Sequence, residues 1–119
     1  MPLRKIRLEL ARNREFPNGS PAHGYEFVAP LDPDGHFDAE EWRQSRQKCS
    51  VRRFWPGEDD ACGRLIHRGL RWAFHYDGED PDDDEPIFKF DRHTFREGEY
   101  VSITEHDGAL RTFRVAHVR

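Results

Sequence analysis

Hard cations need several oxygens converging on one point, and one segment of this chain offers them in number. The run from Asp77 to Glu85 holds seven carboxylates and no basic side chain, with Asp80, Asp82 and Asp84 as its candidate metal ligands. The order Asp-x-Asp-x-Asp-Gly with a Glu at the twelfth position, which an EF-hand loop requires, is absent. Pro81 and Pro86 also stiffen the run. It therefore reads first as a solvated connection between strands, and second as a cation site or as an electrostatic partner for the rest of the chain.

Zinc would draw on Cys49, Cys62, His67, His75, His93, His106 and His117. Structural zinc sites take ligands in close pairs such as Cys-x₂₋₄-Cys, and Cys62 with His67 is the nearest approach to one. On a single extended strand, His67 and His75 would stand roughly 26 Å apart. The cysteines are thus expected to be small buried hydrophobes and the histidines surface groups. No cofactor is expected.

Nucleophilic catalysis would fall to Cys62, which precedes Gly63 in a polar stretch. A Cys nucleophile needs a base and an orienting group, and no familiar nucleophile signature surrounds it. The phosphate-cradling Gly-x-x-x-x-Gly-Lys-[Ser/Thr] is absent too. The sequence leans away from an enzyme, and no catalytic residue is assigned.

The remaining candidates are basic and aromatic. Arg43, Arg46, Lys48, Arg52 and Arg53 lead into Phe54 and Trp55, and Arg64, Arg68, Arg71 and Trp72 follow. Small barrels bind single-stranded nucleic acid by stacking bases on aromatics in a basic groove. The expected ligand-binding residues are Arg52, Arg53, Phe54, Trp55, Arg68 and Arg71. A sequence pI of about 6.0 lies far below that of dedicated nucleic-acid binders.

Composition bounds these readings. A chain of 119 residues is one domain by length, here residues 1–119. Charged residues make up 35% and hydrophobic ones 35%, a balance that approaches disorder. Aromatics at 13% and a net charge of only −4 argue instead for a folded domain with a ring-rich core. Arg outnumbers Lys sixteen to three, a ratio that a GC-rich genome produces without any need for guanidinium chemistry. Two cysteines are too few for a disulfide framework. No N-terminal apolar run and no ~20-residue apolar span is present. A cytoplasmic protein with reduced thiols follows as the expectation.

The elements that must position these residues read mainly as strands. Leu3 to Leu10 alternates Ile6, Leu8 and Leu10 with polar residues. Asn13 to Gly24 is broken by prolines and glycines and reads as a loop. Tyr25 to Ala29 reads as a short strand. Asp38 and Glu41 have capping-box spacing, and Phe37 with Trp42 has that of a hydrophobic staple, which predicts a helix from Asp38 to Lys48. Ser50 to Trp55 reads as a strand and Glu58 to Gly63 as a loop.

Leu65 to Tyr76 reads as the strongest strand. Leu70, Trp72, Phe74 and Tyr76 share one face, and Gly69 marks a bulge. Ile87 to Phe90 is a short strand. Tyr100–Glu105 and Ala109–Val118 form a hairpin. A three-residue loop with Gly108 in the left-handed region pairs Val101 with Phe113, and keeps Val101, Ile103, Phe113 and Val115 on one face.

The sum is a mainly β fold: a small antiparallel β-barrel or sandwich of six to seven strands with one short α-helix. Its expected core is Ile6, Leu8, Phe27, Trp42, Leu70, Trp72, Phe74, Phe88, Val101, Ile103, Phe113 and Val115. The expected function is a non-catalytic binding or interaction module. The alternatives are single-stranded nucleic-acid binding through a basic-aromatic face, or a metal-binding or small hydrolytic protein. The expected partner is a protein or a nucleic acid rather than a membrane, and the chain is expected as a monomer or homodimer.

Overall fold

The computed structural model describes residues 3–68, 71–77, 85–86, 94–105 and 107–119. Strands β1 (Leu3–Leu10), β2 (Ser20–Pro30), β3 (Ser50–Phe54), β4 (Ala61–Arg68) and β5 (Arg71–Tyr76) are followed by a two-residue strand β6 (Glu85–Pro86), then β7 (Tyr100–Thr104) and β8 (Leu110–Val118). They form one antiparallel sheet in the order β6-β5-β4-β3-β2-β1-β8-β7, curled into a half-barrel. Helix α1 (Ala39–Ser45), extended by a 3₁₀ turn over Arg46–Lys48, lies between β2 and β3. No helix among the described residues is long and apolar enough to cross a membrane. The mainly β expectation thus stands.

Alternation decides the two faces of the sheet. Ile6, Leu8, Leu10, Tyr25, Phe27, Val51, Leu65, Trp72, Phe74, Val101, Ile103, Phe113 and Val115 point inward and are buried. Their rings meet at close range: Tyr25 lies 5.1 Å from Phe74 and 5.1 Å from Phe113, and Phe27 lies 5.2 Å from Phe74. Rings contribute through buried area and through tilted or edge-on geometry. Leu70 and Phe88 lie outside the described residues, as does the expected strand over 87–90.

The helix begins as its cap spacing predicts. Asp38 accepts a hydrogen bond from the backbone N–H of Glu41 at 3.0 Å. The Trp42 indole N–H donates to the Leu65 carbonyl at 3.0 Å, and its ring meets Trp72 edge-on at 5.7 Å. The helix therefore packs over the inner face beside β4 and β5. Phe37 stacks on Phe95 at 4.6 Å and meets Trp72 at 4.9 Å, so the residue before the cap joins the same cluster.

Three expectations change. The segment Leu65 to Tyr76 is a hairpin rather than one strand, with Leu65 opposite Phe74, His67 opposite Trp72 and Arg68 opposite Arg71. The buried positions switch from odd (Leu65) to even (Trp72, Phe74, Tyr76). Two antiparallel strands permit that switch; one straight strand does not. Strand β4 also starts earlier than expected, because Ala61, Cys62 and Gly63 pair with Arg53, Arg52 and Val51. Gly63 suits this position: a Cβ there would lie 1.9 Å from the His75 carbonyl oxygen.

Strand β2 likewise extends back to Ser20 through residues expected as loop. A register shift between Glu9 and Leu10 of β1 absorbs the extra residues. At Gly24 the neighbouring strand comes so close that a Cβ would meet the Leu8 carbonyl oxygen at 1.9 Å. The β7–β8 hairpin has the expected register, Val101 opposite Phe113. Glu105 and Ala109 close its loop by a 2.9 Å backbone bond, with Gly108 at φ 84°.

Candidate binding site at the open end of the half-barrel

The hairpin register carries a charged pair inward along with the apolar side chains. Glu105 follows Val101 and Ile103 on the inward positions of its chain, and Arg111 precedes Phe113 and Val115 on theirs. From the other side of the half-barrel, β2 and β3 bring in Tyr25 and Arg53, which face each other across the ladder. The four meet at one end of the core.

The Glu105 carboxylate is fully buried. It accepts from the Tyr25 hydroxyl at 2.5 Å, from Arg53 Nε at 3.1 Å and from Arg111 Nη1 at 2.9 Å. Burial works against the Arg53 cation, but the charge of Glu105 and the adjoining Tyr25 hydroxyl outweigh it and raise its pKa. Arg111 is raised too: burial opposes it, while hydrogen bonds and charge from Asp107 and Glu105 prevail. No buried side-chain nitrogen or oxygen lacks a hydrogen-bond partner among the described residues. Both oxygens of Glu105 are engaged, so it acts as a strut that holds two guanidiniums.

The outward sides of those guanidiniums form a rim. Arg53 stands 4.3 Å from the Trp55 ring centroid and Arg111 5.6 Å from it, within cation–π range. Arg53 also pairs with Glu58 at 3.2 Å, and Arg111 with Asp107 at 3.0 Å. These two carboxylates are 51% and 49% exposed, so each pairing is a weak, solvent-screened one.

His23 closes the rim, edge-on to Trp55 at 4.3 Å and 4.5 Å from the Phe16 ring. Its Nδ1 lies 2.6 Å from the Ser20 hydroxyl. Burial first, and then the charge of Arg53, lower its pKa below 6.5. The unfolded chain therefore takes up the proton before the folded one, and stability falls as pH drops through 6.5 toward the folded value. His67, lowered by burial and by Arg43, acts in the same direction. Replacing His23 with Gln is expected to reduce, without abolishing, the fall in urea midpoint between pH 7.5 and pH 5.5.

The expected ligand-binding residues divide between two faces. Arg53 and Trp55 belong to the rim, whereas Arg52 and Phe54 lie on the outer face. Arg52 forms an ion pair with Glu26 there and another with Asp60 at 2.8 Å. Phe54 is covered by the guanidiniums of Arg7 at 4.5 Å and Arg52 at 5.1 Å. Arg71 is exposed on β5, and the Arg68 backbone pairs with it. The candidate ligands Asp80, Asp82 and Asp84 lie outside the described residues, as do His93 and His106.

Residues that sequence reasoning passed over include Tyr25, Glu105, Arg111 and His23. The favoured hairpin register itself held the signal, because it sends Glu105 and Arg111 inward. The group Asp32, Asp34 and His36 was also missed; one donor atom from each lies within 4.8 Å of the others. Asp32 Oδ1 accepts from the backbone N–H groups of Asp34 at 2.9 Å and His36 at 3.0 Å. It thereby secures the turn at Gly35. Among the described residues this is the one such group, so the cysteines and the described histidines weighed for zinc do not converge.

The two thiols differ in setting. Cys49 is buried and Cys62 exposed, and burial pushes the Cys49 thiol up to about 11. Thiolate is the reactive form. A maleimide at neutral pH is expected to add once to the native protein, at Cys62, and twice in urea, as read by intact mass.

Fold and site together define a mainly β half-barrel with a charged, ring-lined rim over a buried carboxylate. Compared with protein-family models, with curated proteins and with solved structures, the chain matches none.

Proposed function

We propose that this chain is a non-catalytic binding module whose rim, built from Arg53, Trp55, Arg111 and His23, receives an anionic group of a protein or nucleic-acid partner. The observation that carries this reading is the division of labour within the cluster. Glu105 anchors both guanidiniums from below, and only exposed carboxylates engage them from above. Preorganised guanidiniums bind carboxylate and phosphate with less loss of side-chain freedom than mobile ones.

Single-stranded nucleic acid is the second reading. A guanidinium-flanked indole, as at Arg53 and Trp55, is the arrangement on which a base stacks while its phosphate meets the cation. The test is a titration of the ¹⁵N-labelled protein at low salt with octathymidylate and, separately, with an aspartate-rich octapeptide. The Trp55 indole resonance is expected to shift with a binding partner. Trp55→Ala is expected to weaken oligonucleotide binding about ten-fold or more with little change in stability. If neither probe moves rim resonances at low salt, the reading fails. If the peptide alone does so, the nucleic-acid version is removed.

A further inference from the structure

The outer face of the sheet carries a second cationic feature, independent of the rim. Its residues fall into cross-strand rows. One row is self-neutralising: Arg7 lies opposite Glu26, Glu26 opposite Arg52, and Arg52 opposite Cys62. Here Glu26 pairs with both arginines. The Arg52 hydrogen bond, ahead of the charges of Arg52, Lys5 and Arg7, holds the Glu26 carboxyl below its ordinary range against the effect of burial.

The neighbouring row is different. Arg119 exchanges backbone hydrogen bonds with Lys5 at 3.0 and 2.9 Å. Lys5 lies opposite Val28, and Ser50 lies opposite Arg64. Cations stand at both ends, with an uncharged valine and a serine hydroxyl between them. Lys5, Arg64 and Arg119 form no ion pair among the described residues.

This row lies in a depression. One hollow, of 440 Å³, is bordered by Lys5, Val28, Ser50, Arg64, Glu26 and Asp77, among others. A second, of 270 Å³, is bordered by Lys5, Arg7, Glu26, His117 and Arg119. Lys5 and Glu26 border both. The acids at hand are Glu26, already committed to Arg7 and Arg52, and Asp77 at the far end.

The geometry points to an outer-face site, made by Lys5, Arg64 and Arg119 around Ser50, that binds a chain of linked phosphates. Lys5 on β1 and Arg64 on β4 are three strand spacings apart, roughly 14 Å at ~4.8 Å each. One phosphate cannot bridge that span, but a linear chain of several can, passing over Val28 and the Ser50 hydroxyl. Flexible lysine and arginine stems then close on its ends. Val28 and Ser50 place no carboxylate within the row itself. Free polyphosphate and the backbone of a nucleic acid share this chemistry.

The test is calorimetry at low salt on the full chain with sodium tripolyphosphate, orthophosphate and octathymidylate, supported by amide shifts. Tripolyphosphate is expected to bind at least ten-fold more tightly than orthophosphate and to shift the amides of Val28, Ser50 and Arg64. Lys5→Ala and Arg64→Ala, both on exposed side chains, should each weaken it five-fold or more. Arg14→Ala, which removes an equal charge from the 11–19 loop, should leave it unchanged. Octathymidylate that displaces tripolyphosphate identifies the source as nucleic acid; octathymidylate that does not identifies free polyphosphate. Tripolyphosphate that fails to bind, that binds no better than orthophosphate, or that binds the Lys5 and Arg64 variants as it binds the wild type overturns the proposal. Trp55→Ala changes the rim alone, so a failure there is read separately.

Discussion

Glu105→Gln is expected to destabilise the protein by about 3–5 kcal/mol, the usual result of leaving a buried partner charge uncompensated. The side chains concerned are 0% exposed for Glu105, 7% for Arg53 and 18% for Arg111. Glutamine keeps the shape and an acceptor for Tyr25, but it removes the negative charge between two guanidiniums. Arg111 retains Asp107 at 3.0 Å and approaches Glu15 at 3.8 Å, whereas the more deeply buried Arg53 retains only Glu58 at 3.2 Å, so most of the loss arises at Arg53. Adding Arg53→Met to the Gln variant should therefore recover a large part of the stability. Urea denaturation of the two single variants and the double variant measures this directly, with thermal midpoints shifting on the order of 10–20 °C for the first. A loss below 1 kcal/mol would mean that the cluster is far wetter than its burial indicates.

Phe74→Ala is expected to cost a comparable amount, about 3–5 kcal/mol, through lost burial and the cavity left behind. Phe74 is fully buried. It lies against Tyr25 at 5.1 Å and Phe27 at 5.2 Å, and opposite Leu65 in the β4–β5 ladder. Removing it undercuts the ring that carries the Tyr25 hydroxyl to Glu105, so the apolar core and the polar end are mechanically linked. Phe74→Leu should recover much of the loss. The double variant Phe74→Ala, Glu105→Gln should lose less than the sum of its parts, since both act through Tyr25. Total domain stability is of order 5–15 kcal/mol, so either change alone brings the chain close to unfolding. The core variants are therefore best compared in stabilising buffer.

Local pattern reached far into the fold. The inward residues of β1, β7 and β8 were legible because period-two alternation is a property of the strand itself. The helix start was legible because Asp38 can accept from the Glu41 backbone N–H, a bond made within four residues. The hairpin register was legible because a slip would have turned Val101, Ile103, Phe113 and Val115 outward. The β4–β5 pairing was less legible, since two alternating segments in close succession resemble one long strand unless the change of parity at Leu65 and Trp72 is followed.

The candidate site was legible only in pieces. Sequence put Arg52, Arg53, Phe54 and Trp55 together because they are consecutive, yet alternation sends consecutive residues to opposite faces. Arg52 and Phe54 thus belong to the outer ion ladder, and Arg53 and Trp55 to the rim. The sequence by itself determined a mainly β chain with rings inside. Only the tertiary structure decided which charge the interior would keep, because Tyr25 and Glu105 are 80 residues apart. They meet through the curl of the sheet, which brings the inward ends of β2, β3, β7 and β8 around one carboxylate. Strand period fixes which way a side chain points, whereas what it meets depends on strand order, register and curvature, which no local stretch of sequence contains.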